Sequence, residues 1–89
     1  MNQYISGNDL NRSDCKVVYI PKKTGTVSIN VRSKVESLYG DAIRGLIAST
    51  LKDLDIKSGS VEVIDNGSVP FIIQSRIEAA ISKSATIKQ

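Results

Sequence analysis

The sequence predicts a two-layer α+β domain in the order ββαβα, a small three-stranded sheet packed by two helices. Two observations carry this. Residues 16–20, 26–32 and 60–65 are short, rich in Val, Ile and Tyr, and bounded by Gly, Pro, Asn or Asp. Residues 34–54 and 68–85 instead repeat their apolar positions every three and four residues, the period of a helix with one buried stripe. At 89 residues the chain makes one domain with a core of limited size.

Residues 1–14 are polar, carry Gly7, Asn8, Asp9, Asn11 and Asp14, and show no core stripe; a flexible leader is expected, ahead of a single domain over 15–86. The 16–20 strand is followed by a turn over 21–25, where Gly25 can take positive φ. In 26–32, Val27, Ile29 and Val31 point one way and Thr26, Ser28, Asn30 and Arg32 the other, a half-buried strand. The short link between these two strands suggests an antiparallel hairpin.

The first helix opens on Ser33 and Glu36, in the S-x-x-E spacing of a capping box. Glu36 also suits the positive end of the helix dipole. Val35, Leu38, Ala42, Ile43, Leu46, Ile47, Leu51 and Leu54 fall on one face; Ser37, Asp41, Arg44, Lys52 and Asp53 fall on the other. Gly40 and Gly45 interrupt the pattern at about 1 kcal/mol each against Ala. Either another backbone approaches closely there or the sequence is a compromise. An exit loop over 55–59 leads to the third strand, with Val61 and Val63 on one face. Asn66-Gly67 is a turn. Ser68 is the expected N-cap of the second helix, with Pro70 in its first turn. Val69, Ile72, Ile73, Ile77, Ala80 and Ile81 form its stripe, and it should end near residue 85. A strand–helix–strand crossover over 26–65 is right-handed if its strands are parallel.

Composition narrows the function. Twelve basic and 9 acidic residues give a net charge of +3, without a run longer than Lys22-Lys23, which argues against nucleic acid as a partner. One cysteine, Cys15, and no histidine remove internal disulfides, the usual zinc sites and nucleophile–base pairs. Cys15 itself reads as a small buried hydrophobe. No membrane span or signal-peptide pattern is visible, so a cytoplasmic protein is expected. Phosphate loops, dinucleotide fingerprints and paired carboxylates are absent. Self-contained catalysis is therefore not expected, which leaves a carrier, a binding module or a structural subunit.

The order of several short motifs is more specific. Val35-Glu36, followed by Tyr39-Gly40-Asp41-Ala42-Ile43-Arg44, resembles the V-E-x-x-[FY]-G-x-x-I-R segment of citrate lyase acyl carrier subunits. Val61-Glu62-Val63-Ile64-Asp65-Asn66-Gly67 resembles the strand and turn that follow in that family, and Arg76-Ile77-Glu78-Ala79-Ala80 its R-[LI]-E-A-[LA] helix. The resemblance spans about residues 26–85. It implies a non-catalytic carrier of acetyl and citryl thioesters. A serine near the N-terminus would hold a 2'-(5''-phosphoribosyl)-3'-dephospho-CoA group by a phosphodiester. The implied partners are the citrate lyase alpha (acyl transferase) and beta (lyase) subunits and a prosthetic-group transferase.

The attachment region departs from the family's G-T-L-E-S-[SG]-D. Here it is Gly7-Asn8-Asp9-Leu10-Asn11-Arg12-Ser13-Asp14. Anchoring on Leu10 and Asp14 puts Arg12 at the modified position and Ser13 one place later. Ser13 is the candidate attachment residue, with Ser6 second. A malonate decarboxylase-type carrier and an interaction module lacking the group are the alternatives, with a weak nucleic-acid binder, suggested by the basic balance, as a third. Ser13-Asp14 could equally be a plain turn, Arg44 and Arg76 either docking contacts or solvated surface, and Tyr39 a core-edge residue.

Overall fold

The computed structural model describes residues 2–10, 13–33 and 36–87, except the side chains of 36–39, 86 and 87. Four strands and two helices follow one another: β1 (Tyr4–Gly7), β2 (Cys15–Ile20), β3 (Val27–Ser33), α1 (Glu36–Asp53), β4 (Gly59–Asp65) and α2 (Pro70–Ile87). The sheet order is β1-β2-β4-β3, and both helices cover one face. The two-layer α+β architecture is as expected, with one strand more.

The extra strand comes from the segment read as a leader. β1 pairs antiparallel with β2, Tyr4 opposite Tyr19 and Gly7 opposite Lys16. Its inward residues are Tyr4 and Ser6, and its outward ones Ile5 and Gly7. A polar inward residue and an apolar outward one reverse the usual alternation, which is why no core stripe is visible there. The Tyr4 and Tyr19 rings lie 6.5 Å apart and close that edge of the core. Gly7 has φ +83°, and a Cβ on it would stand 2.0 Å from the Cys15 carbonyl oxygen, so no larger residue fits.

The expected hairpin between β2 and β3 does not form. β4 lies between them, antiparallel to β2 with Val17 opposite Val63, and parallel to β3 with Val31 opposite Val63. Val61 and Val63 are fully buried and belong at the centre of the sheet. The β3–α1–β4 crossover brings them there, and α1 is the helix that a parallel pair needs to cover it.

Cys15, Val17, Tyr19, Val31, Val61 and Val63 meet Ile43, Ile47, Leu51, Ile73, Ile77 and Ala80 in one core. Fully burying an Ile or Leu contributes about 1.5–3 kcal/mol. Three such residues on α1 outweigh the roughly 1 kcal/mol cost of each of its glycines. Gly45 is exposed with no atom near the place of a Cβ, so no backbone approaches it; Gly40 is buried. Ala42 and Val69, expected in the core, are exposed. The buried hydroxyls of Thr50 and Ser84 donate to the Leu46 and Ile81 carbonyls, both at 2.8 Å.

Helix ends depart from expectation in detail. The Glu36 half of the capping box lies outside the described residues. Ser33 is the last residue of β3, and its hydroxyl donates to Asp65 Oδ2 at 3.0 Å. Ser68 also turns its hydroxyl to Asp65, while the Val69 carbonyl accepts the first α2 bonds from Ile72 and Ile73. Val69 therefore takes the N-cap position, and Pro70 opens the helix as expected. At the other end of α1, Ile56 N–H donates to the Leu51 carbonyl and Asp55 N–H to the Lys52 carbonyl, at 2.9 and 3.0 Å. This is a Schellman motif with Asp55 at φ +60° in the place glycine prefers. Finally, Arg76 on α2 grips Asp14 just before β2 through two hydrogen bonds, Nε to Oδ1 at 3.0 Å and Nη2 to Oδ2 at 3.2 Å.

Two outcomes follow. Asp55→Gly should raise stability by about 0.5–1 kcal/mol in urea denaturation, since glycine relaxes the left-handed residue; a decrease would contradict the motif. The Arg76 guanidinium holds the Asp14 carboxyl below its ordinary pKa, against the opposing effect of burial. Stability from this pair is therefore present above the ordinary carboxylate pKa and is lost as pH falls through the depressed value. Arg76→Ala should cost on the order of 1 kcal/mol at pH 7 and much less at pH 2. Equal losses at both pH values would assign the effect to packing instead.

Candidate attachment site

The β1–β2 connection opens with an Asx turn, in which Leu10 N–H donates to Asn8 Oδ1 at 2.8 Å. It closes on Ser13 and Asp14. Ser13 N–H donates to the Asn66 carbonyl, and Asn66 N–H donates to the Asp14 carbonyl, each at 3.0 Å. Two successive residues thus oppose one, as in a β-bulge, with Ser13 at φ +61° in the position where a bulge of this type usually carries glycine. A serine there accepts a conformational cost of about 1 kcal/mol. Its side chain is exposed.

The neighbours on the chain side are rigid. Asp14 Oδ1 accepts the Cys15 N–H at 2.7 Å as well as Arg76. Its carboxylate therefore accepts three hydrogen bonds from two residues, and the residue after Ser13 is fastened to both β2 and α2. Cys15 is wholly buried, and burial pushes its thiol up to about 11, so it is protonated and inert at neutral pH. Beside it, the buried Asp65 closes β4: Oδ2 accepts the Ser33 hydroxyl, and Oδ1 accepts the Ser68 N–H at 2.9 Å and the Ser68 hydroxyl.

Two hollows flank this end of the molecule. One, of about 500 Å³, lies between the helices and is lined mostly by apolar side chains of α1 and α2, with Asp65 and Ser68 at one end. The other, of about 350 Å³, is shallow, lined by Asp9, Arg32, Ser33, Ile64, Asp65 and Asn66. Among the described residues no cluster of His, Cys, Asp or Glu is arranged to hold a metal.

The residues singled out in the sequence fall out as follows. Ser13 is exposed and carried on a braced segment. Ser6 points into the core at 4% exposure and offers no hydroxyl to a modifying enzyme. Arg12 and the side chain of Tyr39 lie outside the described residues. Arg44 is exposed, and Arg76 is engaged with Asp14. Cys15 is the buried hydrophobe expected. Sequence reasoning missed the Asp14–Arg76 pair, 62 positions apart. It also placed Asp65 at the end of the third strand without assigning it to the core, although Asp65 continues the buried parity of Val61 and Val63 along β4, a legible signal of a buried carboxylate.

Comparison with known proteins agrees with this frame. A family model described as "ACP: Malonate decarboxylase delta subunit (MdcD)" matches residues 3–84. The citrate lyase acyl carrier protein of Clostridium perfringens is 35% identical over 80 residues, covering 90% of this chain and 79% of that one. That of Streptococcus pyogenes serotype M5 is 34% identical over 89 residues, covering 100% and 87%. No solved structure gives a significant match. The chain belongs to the acyl carrier family that these citrate lyase carrier proteins and the malonate decarboxylase delta subunit represent.

Proposed function

We propose that this protein is a non-catalytic acyl carrier subunit of a cytoplasmic citrate lyase complex, modified on Ser13 by a phosphoribosyl-dephospho-coenzyme A group. The observation that carries the reading is the exposed Ser13 hydroxyl on a bulge braced by Asn66 and by the Asp14–Arg76 pair, in a chain similar along its whole length to citrate lyase carriers. The residues fit such a group. A phosphodiester needs an accessible hydroxyl, and Ser13 is exposed. A serine kept where glycine would be relaxed is also what a need for the hydroxyl would produce.

When bound, the group supplies the terminal thiol on which acyl thioesters are carried. The chain's own contributions are presentation and exclusion. The bulge holds the Ser13 oxygen outward at a fixed distance from a rigid domain, so that a tethered thiol meets partner sites at high effective concentration. The buried, protonated Cys15 cannot compete as an acyl acceptor. The partners in this reading are the alpha (acyl transferase) and beta (lyase) subunits and a prosthetic-group transferase. The malonate decarboxylase-type carrier is the second reading, favoured by the description of the matching family model. The acyl group found on the thiol separates the two.

Protein made in its native host should exceed the polypeptide mass by one prosthetic group, mapping to the peptide that contains Ser13. Ser13→Ala should abolish the added mass and complex activity while folding normally. Ser13→Gly should do the same and gain about 0.5–1 kcal/mol of stability, because glycine relaxes the left-handed position. A modified Ser13→Ala protein would refute the assignment.

Thiol titration with a colorimetric disulfide gives an independent check. Under native conditions at neutral pH, unloaded protein should show no fast-reacting thiol and loaded protein one. Denaturation should add one thiol to each, from Cys15. A fast-reacting thiol in native unloaded protein would contradict the buried, protonated state of Cys15.

A further inference from the structure

The apolar stripes of the two helices extend past the core they fill. On α1, Ile43 is buried, but Ala42 is exposed and Leu46 half-buried; on α2, Ile73 is buried, but Val69 is 57% exposed. These residues do not scatter singly over the surface. They converge on the groove of about 500 Å³ between the middle of α1 and the start of α2, which lies within the size range of small-ligand clefts. Among the described residues nothing covers this concave apolar surface, and such surface marks a binding site.

The groove has a polar end, and that end adjoins the attachment residue. Asp65 and Ser68 line it. Ser13 N–H is bonded to the carbonyl of Asn66, the residue next to Asp65. The groove therefore begins on the order of 10 Å from Ser13, counting one backbone hydrogen bond and about two residue lengths. Ser68 donates its hydroxyl proton to Asp65 and lies beside the Cys15 thiol, so it is engaged within the fold. Asp65 supplies negative charge at the same end.

We propose that this groove seats the arm carried by Ser13, specifically the neutral pantetheine portion with its amide groups and geminal methyl groups. The inference rests on the Ser13 assignment. The match is in the apolar lining: Ala42, Leu46, Val69 and Ile73 take the methyl and methylene groups. The Asp65 carboxylate disfavours the arm's own phosphates at this end, so they stay in solvent and only the neutral part of the chain is held. The shallow hollow beside Arg32 and Asp9 is more open, offers less apolar surface and carries charged side chains, and suits a neutral apolar chain less well. Seated, the arm covers apolar surface that the described residues leave exposed.

The test compares ¹⁵N-labelled protein from cells with and without the prosthetic-group transferase, with loading verified by intact mass. Loaded protein should show amide shift changes at Ala42, Ile43, Leu46, Val69 and Ile73 as well as around Ser13. Ala42→Phe fills the groove and Val69→Asp makes its wall polar. Both substitute exposed positions, so the fold and loading should persist. Each should erase the groove shifts, keep those near Ser13, and raise the rate of thiol alkylation on the loaded arm severalfold. Loaded protein whose shift changes stay within residues 8–14 and 66–67 overturns the groove assignment and leaves Ser13 standing. An unchanged mass at Ser13 removes both.

Discussion

A buried carboxylate at the end of the central strand organises this small domain. Asp65 continues the inward row of Val61 and Val63, so its side chain enters the core at 4% exposure. An unpartnered carboxylate there would be prohibitively unfavourable. It is satisfied by Ser33 at the end of β3 and by the backbone and hydroxyl of Ser68 just before α2. One side chain thus fixes where β3 stops, where β4 stops and how the chain turns into α2. Losing a donor would leave a buried charge under-satisfied, at a cost of about 1–3 kcal/mol.

The candidate site depends on that end of the sheet. Asn66 follows Asp65, and its main chain pairs with both Ser13 and Asp14. Arg76 holds Asp14 from α2. The β1–β2 connection is therefore anchored where it matters for presentation, while the Ser13 side chain faces outward. A carrier needs this combination of a reachable hydroxyl and a rigid base. The single thiol of the polypeptide is buried among the same elements, which separates the structural sulfur from any carried on a prosthetic group.

Legibility followed the physics of each element. The stripes of α1 and α2 were readable because core burial imposes a helical period, and Ile43, Ile47, Leu51, Ile73, Ile77 and Ala80 are buried as that period requires. Val27, Ile29 and Val31 share a face for the equivalent reason in a strand. β1 was not readable, because Ser6 faces in and Ile5 faces out. Ser33 and Ser68 each stood at a helix start and looked like caps; both hydroxyls instead serve a carboxylate distant or offset in sequence. The position of Ser13 next to Asp14 was visible, but the bulge that exposes it was not.

The sequence by itself determined the α+β class, both helices, three of the four strands, the buried character of Cys15 and the family resemblance. All of these rest on local periodicity, composition or short ordered motifs. Only the tertiary structure decided the strand order, because placing β4 between β2 and β3 is a long-range choice that no local pattern encodes. It also decided that Ser6 is buried, that Arg76 is spent on Asp14, and that Ala42 and Val69 line a groove rather than the core. Period assigns a residue to a face; the packing of the neighbouring elements decides whether that face is covered.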